Sequence, residues 1–147
     1  NRGHLWDYLA EEVFDQLDDE TQQFLLQCSV LDTFNAVLVT ELTGYCDSLA
    51  KLESLNRFGL FLTTLDSDDN WYRFHNLFAE FLNHQRHSRL PEQQDHLHTL
   101  AAQAWLKQNS PQQALAHALK GQNEQLTVDI IVEHGLALLV LLYYEPG

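Results

Sequence analysis

The hydrophobic pattern changes period only once along this chain, between Leu60 and Phe74, and that change sets the fold class. Elsewhere apolar residues recur every three or four positions, as one face of a helix requires. Leu60 to Leu65 is instead apolar and threonine-rich, Asp66-Ser67-Asp68-Asp69-Asn70 is a cluster of turn formers, and Trp71 to Phe74 is aromatic. Two short β-prone runs around such a loop predict a hairpin. Three helices, a hairpin and a closing helix describe a winged-helix domain, a variant of the helix-turn-helix. A helix bundle with an incidental strand pair would share the same order.

Capping chemistry predicts the helix boundaries. Trp6, Leu9, Ala10, Val13, Phe14 and Leu17 form one face of a first helix. Asp18-Asp19-Glu20 interrupts it and supplies acidic residues to the next helix start. The second helix buries Phe24, Leu25, Cys28 and Leu31; Asn35 caps a short third helix, which Gly44 ends. A fourth runs from about Cys46 to Phe58, with Leu49, Leu52 and Leu55 inward and Gly59 as its stop. Phe74, Leu77, Phe78, Phe81 and Leu82 line the helix after the hairpin.

Beyond Leu90-Pro91 the pattern becomes that of paired helices, which divides the chain into residues 1–89 and 90–147. Leu97, Leu100, Ala101, Ala104 and Trp105 make one stripe, and Ala114, Leu115, Ala118 and Leu119 the next, ended by Gly121. Between them Ser110 is placed to cap and Pro111 to take the first helical position. Small residues opposite Trp105 suit close helical hairpins of the tetratricopeptide kind. The expected class is therefore mainly α: a winged helix with one short hairpin, then tetratricopeptide-like helical hairpins.

Composition bounds the partners. A 147-residue chain that is 45% hydrophobic can bury a core and is no disordered tail. With 21 acidic against 8 basic residues the net charge is −13, which repels nucleic acid and anionic lipid unless a basic patch is concentrated locally. The densest basic run is only Arg86-His87-Ser88-Arg89. Cys28 and Cys46 are too few for a disulfide framework and lack metal spacing, so free thiols in a cytoplasmic protein are expected. The chain has no Met and opens Asn1-Arg2-Gly3, which reads as a piece of a longer protein without a signal peptide. The longest apolar run, Leu136 to Tyr144, falls short of the roughly 20 residues a membrane span needs. It reads as a core helix without its packing partner, so no membrane contact is expected.

Enzymatic signatures are missing. There is no Gly-Lys phosphate loop, no G-x-S-x-G elbow, no H-E-x-x-H and no CxxC pair, so no catalytic residue is assigned. His84 and His87 share a helix face, with His96 and His98 nearby, but the pattern gives no convergent carboxylate or thiolate; no metal site is expected. From Gly44 to His75 three basic residues (Lys51, Arg57, Arg73) face five acidic ones (Asp47, Glu53, Asp66, Asp68, Asp69). Direct DNA binding through the third helix or wing is therefore not expected.

His75 stands apart because it sits where an aromatic strand enters the first turn of a helix. Free N–H groups and partial positive charge gather there, so the position suits an anion. An ordinary capping or half-buried histidine is the plainer reading.

Five ordered segments bear on that choice. A leading amphipathic helix is followed by Phe24-Leu25-Leu26 with Ser29-Val30-Leu31-Asp32, then by a leucine-rich helix. Leu60-Phe61-Leu62 with Leu65-Asp66 comes next, then Trp71-Tyr72-Arg73-Phe74-His75-Asn76-Leu77-Phe78. From about Leu5 to Glu133 the chain resembles the segment after the nucleotide-binding domain in MalT-like regulators of the LuxR family, which belong to the STAND class of signalling ATPases. The resemblance implies a multidomain bacterial transcription activator: an ATPase domain that binds ATP or ADP, this winged helix, a helical sensor arm, and a C-terminal DNA-binding helix-turn-helix.

In such proteins the winged helix does not read DNA but folds back on the nucleotide domain of the same chain, and its histidine contacts the phosphate of bound ADP. By position that residue is His75. Relatives often carry a second histidine where this chain has Asn76, which keeps a hydrogen-bonding group and loses a titratable one. The chain itself would then hold no cofactor, and the full-length protein would oligomerise on activation. A stand-alone acidic helical adaptor is the alternative.

Overall fold

A computed structural model of the chain describes residues 2–57, 59, 61–65 and 68–144. They divide into two compact units, residues 1–91 and 92–147.

The first unit opens with α1 (Arg2–Gln16), α2 (Asp19–Cys28), α3 (Ala36–Thr43) and α4 (Ser48–Arg57). Local chemistry sets their ends. Asp18 accepts a hydrogen bond from the Thr21 amide at α2, and its bonds with Thr21 hold its carboxyl below the usual carboxylate range. Asn35 does the same for α3 through the Leu38 amide at 2.8 Å. Gly44 ends α3 at φ 74°, a left-handed conformation that a side chain disfavours. Gly59, after α4, has φ 65°.

Strands β1 (Leu62–Leu65) and β2 (Asp68–Phe74) form the antiparallel hairpin, with Leu62 opposite Phe74 and Thr64 opposite Tyr72. The register then jumps so that Leu65 faces Asp68. A bulge of this kind relaxes strict alternation, so Asp68 to Asn70 continue the strand despite their turn-forming side chains. On its other side β2 is bridged by Phe34, whose N–H and C=O both bond Tyr72. Helix α5 (Asn76–Arg89) closes the unit. This is the mainly α winged-helix arrangement expected from the sequence.

The core of the unit is aromatic and continuous. Ring centroids of Phe61 and Phe78 are 4.7 Å apart, Phe74 and Phe78 5.9 Å, Phe78 and Phe81 6.0 Å, and Phe81 and Phe14 5.6 Å. Phe24, Leu25, Cys28 and Leu31 are buried as expected. Several positions depart from the sequence reading. Leu9 and Val13 are exposed and Leu17 half-buried, because α1 meets α5 through the narrow strip of Ala10 and Phe14. Leu49 and Leu77 are likewise exposed, while Leu52 with Leu55, and Phe78 with Phe81 and Leu82, face inward. Phe74 is buried at the end of β2 rather than on the helix. Trp6 (as a side chain), Phe58, Leu60, Asp66 and Ser67 lie outside the described residues.

Burial also separates the two cysteines. Cys28 is fully enclosed and its surroundings push the thiol pKa up, whereas Cys46 is exposed. A thiol-specific reagent should therefore modify one cysteine per native chain and the second only after denaturation. Two fast equivalents from native protein would contradict this packing.

The second unit holds α6 (Gln94–Lys107), α7 (Pro111–Lys120) and α8 (Glu124–Tyr144), with α6 and α7 packed as a hairpin. Ala101, Ala104, Trp105, Ala114 and Ala118 fill the contact. Leu100 and Leu115 are half-buried, and Leu119 is 59% exposed. Pro111 takes the first position of α7, but Ser110 makes no side-chain capping bond. Gly121 ends α7 at φ −82°, so it is required by close approach and not by a left-handed turn. The apolar run Leu136–Tyr144 belongs to a longer helix than the sequence suggested. Within the described residues α8 alone is long and apolar enough to cross a membrane, by length and composition. Ile130 is its one buried residue, and Val132, Leu136, Leu142 and Tyr143 are each exposed.

Candidate functional site

The junction between β2 and α5 is built by backbone first. His75 has φ −55° and ψ 142°, extended geometry that a helix N-cap adopts. Its N–H donates to the Phe61 carbonyl at 3.0 Å, and its own carbonyl accepts from the Ala79 amide at 2.8 Å. The residue is thus fixed at once to the segment before β1 and to the first turn of α5. Phe74 and Phe78, on either side of it, are buried, so the aromatic core clamps the junction.

What the imidazole does not do is equally informative. Asp18 and Asn35 spend their side chains on capping α2 and α3, whereas His75 makes no side-chain capping bond to α5. The first turn of α5 has no acidic residue, and its last turn carries Arg86, His87 and Arg89. The basic end is matched to the helix dipole, and at the positive end the first turn supplies no carboxylate of its own. His75 is half-buried and Asn76 exposed, so both are placed at the rim of that end. An arrangement of free first-turn amides beside an uncommitted imidazole can hold a phosphate or carboxylate.

A cavity of about 190 Å³ lies on the flank of the same turn, lined in part by Ser29, Asp32, Arg73, Asn76 and Asn83. It offers one cation and one carboxylate, so its own charge does not select an anion. Beneath it Arg86 is buried, donating to Ser29 Oγ at 2.8 Å and to Asn83 Oδ1 at 2.6 Å. Burial lowers its pKa, as desolvation does for any cation. Ser29 passes the contact on by donating to the Leu26 carbonyl. The network ties α5 to the end of α2 and stiffens the wall behind Asn76.

The basic run is therefore no patch. Arg86 points into the core, and Arg89 sits over the Phe14 ring at 5.0 Å while pairing with Asp15 at 3.6 Å. His84 and His87 are both exposed, and His87 contacts the Asn83 carbonyl. His96 is exposed too. Among the described residues no three His, Cys, Asp or Glu side chains converge as metal ligands. Sequence reasoning missed Arg86, although it lies four residues after Leu82 and eight after Phe78, on one buried stripe. It named His98 as one of the clustered histidines but missed its contact with His117 across α6 and α7.

Comparison with known proteins adds three findings. Residues 10–94 match the MalT winged helix domain family. The HTH-type transcriptional regulator MalT of Vibrio cholerae is 58% identical over 135 residues, which is 92% of this chain and 15% of that protein. The proteins of the same description from Vibrio campbellii and Serratia proteamaculans are 57% and 40% identical, over 92% and 94% of the chain and 15% of each relative. The chain thus spans about 15% of the length of the curated relatives it matches.

Proposed function

The chain belongs to the MalT winged helix domain family, and from that premise we propose that it is a nucleotide-state switch module inside a longer transcriptional regulator. Likeness to the MalT regulators supports a regulatory role. On our reading the regulator is a cytoplasmic LuxR-family protein of the STAND class, with an ATPase domain elsewhere in the chain. The winged helix folds against that domain, and His75 donates a hydrogen bond to a phosphate of bound ADP. The single observation that carries this is the start of α5, whose first turn has no side-chain cap and no acidic residue of its own, with an imidazole at the N-cap that makes no capping bond.

Two further features support the reading. Leu5, Leu9 and Val13 form an exposed apolar stripe at i, i+4 and i+8 on α1, a surface suited to packing against another domain of the same protein. The α6–α7 hairpin supports the start of a tetratricopeptide-like sensor arm, residues 90–147 in our division, which would carry an inducer signal to the switch. We read α8 as a packing helix and not a membrane span. Glu133 and His134 lie at its middle, where an acidic side chain would cost about 2.5–3.5 kcal/mol in a bilayer. Binding ATP or ADP, assembling on activation and reading DNA through a helix-turn-helix are assigned to the rest of the regulator.

The module itself is not expected to read DNA. Its charge of −13 opposes the phosphate backbone, and its densest basic run is spent on internal contacts. Anisotropy titration of the chain with duplex DNA at about 50 mM salt should show no binding tighter than about 10⁻⁴ M, the weak non-specific range. Salt-sensitive micromolar affinity would make it a DNA reader and overturn the switch reading.

A further inference from the structure

Most cations of the winged-helix unit are spent inside it. Lys51 donates to Thr21 Oγ1 at 2.6 Å and lies over the Tyr45 ring. Arg86 is buried against Ser29 and Asn83, and Arg89 pairs with Asp15. Arg57 occupies the last turn of α4, where its charge suits the helix dipole. Arg73 differs from all of them. It is exposed, it lies within a strand, and its side chain makes no hydrogen bond or ion pair to any described residue.

The hairpin aims this guanidinium. Side chains alternate between the two faces of a strand. Tyr72 and Phe74 are both buried, which turns Arg73 outward, and pairing with Thr63 fixes its backbone. His75 keeps the extended course with φ −55° and ψ 142°, so its ring follows Arg73 on the outward side, two residues along. That step spans roughly 6–7 Å, a gap that a long arginine side chain covers. Arg73 also lines the cavity of about 190 Å³ together with Asn76, the first residue of α5. The strand therefore delivers an uncommitted cation to the rim at which His75 and the first-turn amides stand.

We propose that Arg73 is a second anchor of the switch site, its guanidinium holding the same phosphate of ADP as the His75 imidazole. The inference rests on the nucleotide-switch reading and adds a residue to it. A guanidinium presents a planar fork of N–H donors that matches phosphate, and it stays charged at any physiological pH. Arg73 thus supplies a permanent charge beside the N-cap position that His75 occupies. Asp32, exposed and without a partner among the described residues, lines the same cavity and opposes an anion. Selection for an anion therefore comes from the side of His75 and the first-turn amides. The contribution of Arg73 falls at the lower end for a charge-assisted bond, about tenfold in affinity.

Equilibrium titration of the full-length regulator with ADP tests this, comparing Arg73→Gln, Arg73→Lys and His75→Ala with wild type. Melting of the same proteins controls for folding. Arg73→Gln should bind ADP about tenfold more weakly, and Arg73→Lys should recover part of that loss by keeping the charge. Both should melt within a few degrees of wild type. Weaker binding by His75→Ala with Arg73→Gln unchanged would overturn the second anchor and leave the switch reading in place. Unchanged affinity in both variants would overturn the switch reading itself. A loss in Arg73→Gln alone would take the phosphate away from His75 and overturn the shared grip. An Arg73→Gln protein that loses affinity together with several degrees of melting temperature, with no recovery in Arg73→Lys, would make Arg73 a structural residue and overturn the inference as well.

Discussion

Phe78→Ala should destabilise the winged-helix unit by about 3–5 kcal/mol, the cost of removing a fully enclosed aromatic side chain and leaving a cavity. Phe78 is 1% exposed, and its ring contacts Phe61, Phe74 and Phe81, which come from the segment before β1, from β2 and from α5 itself. Through Phe81 the chain of rings reaches Phe14 on α1. Truncation therefore loosens the hairpin, the closing helix and the leading helix together. Against a typical domain stability of about 5–15 kcal/mol, such a loss leaves a marginal or unfolded unit. Urea unfolding should show a large drop in midpoint with little change in slope. A cost under about 1 kcal/mol would mean that the ring chain is not what holds the junction in place.

The sequence revealed the framework through features that act locally. Asn35 and Gly44 carry cap chemistry in their own side chain or its absence, and the aromatic run into Phe78 marks a change of period that few folds produce. The position of His75 at the start of α5 was legible for the same reason. What stayed hidden depends on how many neighbours a helix acquires. Leu9, Val13, Leu49 and Leu77 fit an apolar stripe as well as Phe14 or Leu52 do, yet they stay exposed while Phe14 and Leu52 are buried. The spacing places Arg86 on the buried stripe of α5, but the Ser29 hydroxyl that helps to compensate its burial is 57 residues away in sequence and shows only in the fold. His98 and His117 meet only because Gly121 lets two helices close, a condition that no spacing rule expresses.

His75→Ala should have its large effect on nucleotide retention and not on folding. The imidazole is half-buried and makes no capping bond, while the residue's structural bonds run through its backbone N–H and carbonyl, which alanine keeps. The isolated chain should therefore melt close to wild type. In the full-length regulator a charge-assisted hydrogen bond to a phosphate is worth roughly 1.5–3 kcal/mol. If that bond exists only in the closed state, its loss moves the closed–open balance by about one to two powers of ten. Transcription without inducer should rise accordingly. A purely structural role for the ring requires the reverse: a destabilised chain with activity unchanged or lost. Asn76 offers a hydrogen-bonding group at the same rim but cannot become positively charged, so it should not substitute for the missing imidazole.

The most direct measurement is ADP affinity of the full-length regulator with and without His75→Ala, by equilibrium titration, alongside the melting temperature of the isolated variant chain. Affinity about ten- to a hundredfold weaker, in a chain that melts within a few degrees of wild type, is the expected result. Unchanged ADP affinity in a well-folded variant would remove His75 from the switch, and with it the proposed function of the junction.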